Sequence, residues 1–156
     1  MTPSRPAPPE LPRVWRPART RTVTLVMSAV VLVCMTVLAS LLPAEGPRSF
    51  AVSDRVGVLL VGWAIVGILL LLGRPRLVAE ESGLTVVNMV GRRRLVWEQV
   101  VRVNFRPGDP WAFFDLDDGT TLAVLGIQSS DGERAVRAVR QLRALVEQRT
   151  RTERDD

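Results

Sequence analysis

Two long runs without a charged residue occupy the first half of the chain, and they constrain its fold more than any other feature. The first, residues 22–42, reads TVTLVMSAVVLVCMTVLASLL. At about 1.5 Å per residue it would span about 31 Å as a helix, the thickness of a bilayer core. The second, residues 56–73, reads VGVLLVGWAIVGILLLLG and reaches about 27 Å, near the lower limit for a span. The connecting segment, residues 43–55, is short and polar, and Pro43, Glu45, Gly46 and Pro47 stop the first run. The expectation is an antiparallel transmembrane hairpin. A cleaved signal sequence is the competing reading of the first run, but an apolar region of roughly 7–15 residues is the norm there, and this run is longer.

Arginine placement sets the expected orientation. Arg5, Arg13, Arg16, Arg19 and Arg21 precede the first run, and Arg74, Arg76, Arg92, Arg93 and Arg94 follow the second, whereas the connecting segment has only Arg48 and Arg55. The excess of basic residues on one side predicts both termini in the cytoplasm of a multi-pass protein of the cell membrane. Neither run contains an ionisable group of the kind that marks a proton or ion pathway, so the hairpin reads as an anchor held by membrane lipids. Gly57, Gly62 and Gly67 recur every five residues, a spacing that does not gather small residues on one helix face. Trp63, in the middle of the second run, is expected to pack on the first helix or on a partner.

The inventory of side chains excludes several classes of function. The chain has no His, Tyr or Lys and a single Cys, so neither a Ser-His-Asp nor a Cys-His site can be assembled. No Cys/His/carboxylate cluster is available for zinc, and no cofactor is expected. Cys34 lies inside the first apolar run, where it reads as a small hydrophobe. The net charge of +5 divides into +4 for residues 1–21, zero for 22–73 and +1 for 74–156. A nucleic-acid-binding domain would carry its own positive surplus, so nucleic acid is not an expected partner. The Pro/Arg-rich residues 1–21 are expected to form a disordered basic arm.

From residue 74 onward the pattern changes to short strands separated by turns. Residues 76–80, 84–90, 92–97, 100–105, 111–116 and 120–127 are strand candidates, bounded by Glu81-Ser82-Gly83, Gly91, Glu98-Gln99, the loop RPGDP (residues 106–110) and Asp117-Asp118-Gly119. Such spacing predicts an antiparallel meander. Asp-Gly between two apolar strands marks a hairpin turn rather than a calcium loop, which would need a Glu at its twelfth position. Ser129, Ser130 and Asp131 are N-cap candidates for a final helix, in which Ala135, Val136, Val139, Leu142, Leu145 and Val146 form one apolar stripe. Arg134, Arg137, Arg140 and Arg143 then read as its solvated face. Residues 150–156 form a charged tail.

Residues 74–128 together with DGERAVRAVRQLRAL (131–145) resemble the bacterial PH-domain family of the actinobacterial low-molecular-weight protein antigen type. The resemblance rests on SGLTV, RRRLVWEQVVRV, GDPWAFFDLDDG, LGIQ and the Arg-rich last helix, and two transmembrane helices often precede the domain in that family. It implies, for residues 74–149, a mainly-β PH-like domain of two packed antiparallel sheets capped by a C-terminal helix, with seven strands where six are legible here. It brings no catalytic residue. The expected function is therefore a non-catalytic, membrane-anchored binding or scaffold module facing the cytoplasm and engaging a protein partner, with self-association a further expectation. The alternative is an accessory subunit of a membrane transport or envelope complex acting through its hairpin. The membrane-surface candidates are Arg74, Arg76, Arg92, Arg93 and Arg94, since each basic residue near an anionic leaflet contributes about 1 kcal/mol. The partner-contact candidates are Arg106, Asp109 and Trp111.

Overall fold

The computed structural model describes residues 10–45 and 49–152, with side chains described through residue 149. Residues 1–9 of the arm expected to be disordered, the loop residues Gly46, Pro47 and Arg48, and the tail from residue 153 lie outside this range.

The chain divides into two units, Thr20–Gly73 on one hand and Met1–Arg19 with Arg74–Asp156 on the other. The second is a β domain that the hairpin interrupts rather than follows. Its first strand, β1 (Arg13–Trp15), precedes the first long helix. It pairs antiparallel with β2 (Arg76–Glu80), so that Trp15 lies opposite Leu77. The expectation of a disordered arm through residue 21 is therefore corrected from residue 13 onward. Three residues cannot form a strand alone, but Trp15 brings a large apolar side chain that is buried in the core, with its indole N–H donating to the Gln141 side chain. Here is the seventh strand.

β3 (Gly83–Val87) and β4 (Arg92–Leu95) complete a four-stranded sheet in the order β1-β2-β3-β4. A short 3-10 turn at Trp97–Gln99 then leads into a second sheet of β5 (Val100–Asn104), β6 (Trp111–Leu116) and β7 (Thr121–Gln128), again in sequence order. Both sheets are thus antiparallel meanders, as the turn spacing predicts. In β6 burial alternates strictly: Ala112, Phe114 and Leu116 point into the core while Trp111, Phe113 and Asp115 are half-buried. Phe114 is fully enclosed, and burial of such a ring contributes about 2–3 kcal/mol.

The last helix, α3 (Glu133–Thr152), closes the domain. Its buried stripe is Ala135, Ala138, Val139, Leu142, Leu145 and Val146, at helical spacing. Val136, expected in that stripe, stays 39% exposed beside it. The N-cap expectation also changes. Ser129–Asp131 is a 3-10 turn, Gly132 takes φ 58°, and both Asp131 carboxylate oxygens accept backbone N–H bonds from Ala18 and Arg19.

The other unit consists of α1 (Ala18–Leu41) and α2 (Val52–Leu72), two helices long and apolar enough to cross a membrane. Each starts four residues before its uncharged run, because backbone helicity needs no apolar side chain: Arg19, Thr20 and Arg21 open α1, and the Asp54 carboxylate accepts the Ala51 N–H at the start of α2. The helices run antiparallel in one register. A Cβ on Gly73 would meet Thr24, one on Gly62 would meet Met35, and the Arg55 guanidinium donates to the Leu42 carbonyl. Gly57 and Gly67 face open space, so the glycines of α2 do not line one packing face. Trp63 is 61% exposed, so it does not pack on α1.

Candidate functional site

Two groups of arginines stand out on the β domain. The first lies on the four-stranded sheet. Strand register aligns Arg76, Val87 and Arg92 in one row, and Val78, Thr85 and Arg94 in another. Directly paired residues share a face, so Arg76, Arg92 and Arg94 project together, with Arg76 and Arg92 two strand spacings, roughly 10 Å, apart. Arg74 is exposed just before β2. Arg93 is set apart: it pairs with Val86, whose other partner is Leu77, in the inward-facing row, and reaches the Asp118 carboxylate at 3.6 Å. The turn after β3 is held by Asn88, whose backbone N–H bonds the Gly91 carbonyl while its side chain bonds Ala123 and Leu125 of β7. At its tip Val90 is 99% exposed.

Asp118 has its own role in the β6–β7 turn. One carboxylate oxygen accepts both the backbone N–H and the hydroxyl of Thr120. The Thr120 hydroxyl, then its N–H, and then the Arg93 charge hold the Asp118 carboxyl below the usual carboxylate range. With Gly119 at φ 78°, this is the tight turn that the Asp-Gly pair predicts.

The second group surrounds the loop between β5 and β6. Here the three residues expected to form a partner surface are separated. Asp109 closes the loop: its carboxylate accepts the Arg106 N–H at 2.7 Å and its own N–H donates to the Arg106 carbonyl at 3.0 Å. Gly108 at φ 97° makes the turn feasible. Trp111 is half-buried and tilts against Phe113, with ring centroids 6.3 Å apart, and does not belong to the core cluster in which Trp97 sits. Of the three, the Arg106 side chain is the one left exposed.

What Arg106 faces was not legible beforehand. It shares a hollow of about 430 Å³ with Phe105, Val136, Val139, Arg140 and Arg143. A second hollow of about 460 Å³ adjoins it along β5, and Phe105, Arg106 and Arg143 line both. Arg143 also donates its Nε–H to the Val103 carbonyl at 3.0 Å, joining α3 to β5. Arg140 and Arg143, expected on a solvated face, therefore form one wall of a groove. Nothing local in the sequence announces this, because the opposite wall is some forty residues upstream.

Residues 74–145 match the family described as the bacterial PH domain. Among curated proteins, uncharacterized proteins of Mycobacterium bovis and Mycobacterium tuberculosis are each 38% identical over 97 residues, 62% of this chain. The match spans 63% of the length of these relatives. No solved structure matches the chain. The family match begins at Arg74 and so omits β1, which the structure restores to the domain across the hairpin. Two sheets in meander order, a capping helix and the match of residues 74–145 to the bacterial PH domain family agree on a PH-like domain, one that borrows its first strand from ahead of two apolar helices.

Proposed function

We propose that the chain is a non-catalytic, membrane-anchored binding module, with both termini and the PH domain on the cytoplasmic side and a protein as the partner at the inner membrane surface. The observation that carries this reading is the interruption of the domain by the hairpin. Only Arg16 and Pro17 separate β1 from α1, and only Gly73, Arg74 and Pro75 separate α2 from β2. With both helices in a bilayer, two short tethers hold the domain at the surface, where a scaffold is useful and a freely diffusing enzyme is not. The bias of arginine toward the two flanks favours the cytoplasmic orientation. Arg74, Arg76, Arg92 and Arg94 would add an auxiliary contact with anionic headgroups. PH domains are in general non-catalytic, and the absence of His from the sequence agrees with that.

One observation favours the second reading, an accessory subunit that acts through its hairpin. Trp63 projects from the middle of α2 without packing on α1, where it would be available to another transmembrane helix. Site-specific photo-crosslinking in living cells separates the two. A crosslinker at Val136 that captures one discrete protein, with none captured from Trp63, supports the domain as the recognition unit. The reverse pattern overturns it in favour of the hairpin. Crosslinks to lipid alone from both positions overturn both readings.

A further inference from the structure

We propose that the groove between β5, the β5–β6 loop and α3 binds an extended acidic segment of a partner protein, with an aliphatic side chain in the hollow over Phe105 and Val139. This rests on the binding-module reading and names the chemistry of its partner. Three features argue for it. The first is charge. Arg102, Arg106, Arg140 and Arg143 line the two adjoining hollows, against Asp109 and Glu147. The Asp109 carboxylate is committed to the Arg106 N–H, and Glu147 stands at the far end, so the central stretch is positive. A cationic groove with apolar walls selects carboxylates, and each guanidinium can hold one through paired N–H donors.

The second feature is shape. β5 is an edge strand of its sheet, and Val101 on it is 65% exposed. An exposed edge invites a strand, but Arg143 occupies the Val103 carbonyl. An occupant is thereby limited to side-chain recognition along most of the groove, which suits an irregular extended segment better than a full added strand. The third is rigidity. The wall formed by the loop is closed by the reciprocal Arg106–Asp109 bonds, and its end is fastened where the Ser129 N–H and hydroxyl both donate to the Pro110 carbonyl. A preformed wall lowers the ordering cost of binding.

The test uses the full chain in nanodiscs of neutral phosphatidylcholine, with a fluorescent twelve-residue peptide that alternates leucine with aspartate and glutamate as the probe. The expected result is saturable binding that weakens at least about tenfold for the asparagine/glutamine counterpart of the peptide. Arg140→Glu and Arg106→Glu, both at exposed positions, should each weaken the acidic peptide by a similar factor. Arg92→Glu, an equal charge change on the other sheet, should leave it unchanged. Equal affinity for the two peptides, or indifference to Arg140→Glu and Arg106→Glu alike, overturns the proposal. So does the absence of peptide binding combined with protection of Phe105–Asp109 from hydrogen exchange in phosphatidylglycerol nanodiscs, which would make the occupant a lipid. If the peptide fails while Val136 still crosslinks one protein in cells, the chemistry assigned to the groove falls and the binding-module reading stands. If both fail, the reading falls with it.

Discussion

The Asp131 carboxylate accepts the backbone N–H groups of Ala18 and Arg19, each at 2.9 Å, so a residue in the turn before the last helix caps the first one. The first N–H groups of a helix have no partner within it, and a carboxylate there gains both hydrogen bonds and the favourable end of the helix dipole. Replacement of such a cap by alanine costs roughly 0.5–2 kcal/mol. Asp131→Ala should therefore lower the thermal midpoint of the full chain and speed amide exchange at Ala18 and Arg19, while Asp131→Asn, which keeps an acceptor, should lose less. Unchanged exchange at these two amides in Asp131→Ala would show that the cap contributes nothing.

The borrowed strand makes a sharper prediction. Trp15 sits opposite Leu77 and in the core, so Trp15→Ala should cost about 3–5 kcal/mol even though it precedes the matched family segment by nearly sixty residues. Residues 17–75 connect two strands that are already antiparallel neighbours. A short Gly/Asn-rich turn from Arg16 to Arg76 should yield a soluble domain with cooperative unfolding, whereas a fragment beginning at Arg74 should unfold at markedly lower denaturant. Equal midpoints for the two would remove β1 from the domain.

These cases also separate what can be read along the chain from what cannot. The apolar runs, the period-two burial of β6 and the stripe on α3 are local patterns, and each appears where its residues predict, except that Ala138 rather than Val136 completes the stripe. β1 is not such a pattern: Arg13-Val14-Trp15 is too short to show alternation, and its pairing partner lies beyond the whole hairpin. Asp131 is a good cap residue, but the nearest helix in sequence is not the one it caps. The same limit governs the candidate sites. Alternation foretells that Arg93 points away from Arg92 and Arg94, whereas the grouping of Arg106 with Arg140 and Arg143 depends on where α3 crosses β5.

Gly126 fixes where the two sheets meet. A Cβ there would lie 2.5 Å from the Leu77 N and 2.7 Å from the Arg76 carbonyl carbon, both backbone atoms that cannot swing aside. Gly126→Ala should destabilise the domain by about 1–3 kcal/mol, as overpacking does, and shift the amide resonances of Arg76 and Leu77 most. A variant as stable as the parent would mean that β7 and β2 can separate freely at this crossing.

The three glycines inside α2 should divide one against two. A Cβ at Gly62 would stand 2.8 Å from Met35 Cγ, while Gly57 and Gly67 have nothing within 4 Å. Gly62→Leu should weaken the packing of α1 on α2, read as a lower midpoint in detergent-dependent unfolding. Gly57→Leu and Gly67→Leu should be neutral. Comparable loss at all three positions would argue that an unseen partner helix covers the outer face of α2.

Acid should loosen the β6–β7 turn selectively. The carboxyl of Asp118 is held below its ordinary range, first by the Thr120 hydroxyl and N–H and then by Arg93. Its folded-state pKa is depressed, so its contribution is fully present above the unfolded value of about 4 and is lost as pH falls through the lower folded value. The turn is fully exposed and the Arg93 pair is half-exposed, so the effect on global stability is small and should be sought locally. Carbon-detected titration of the Asp118 carboxyl should give a midpoint below that of an exposed aspartate, and Thr120→Val should raise it more than Arg93→Gln does. The opposite ranking would make the Arg93 charge, rather than the hydrogen bonds of the turn, the dominant influence.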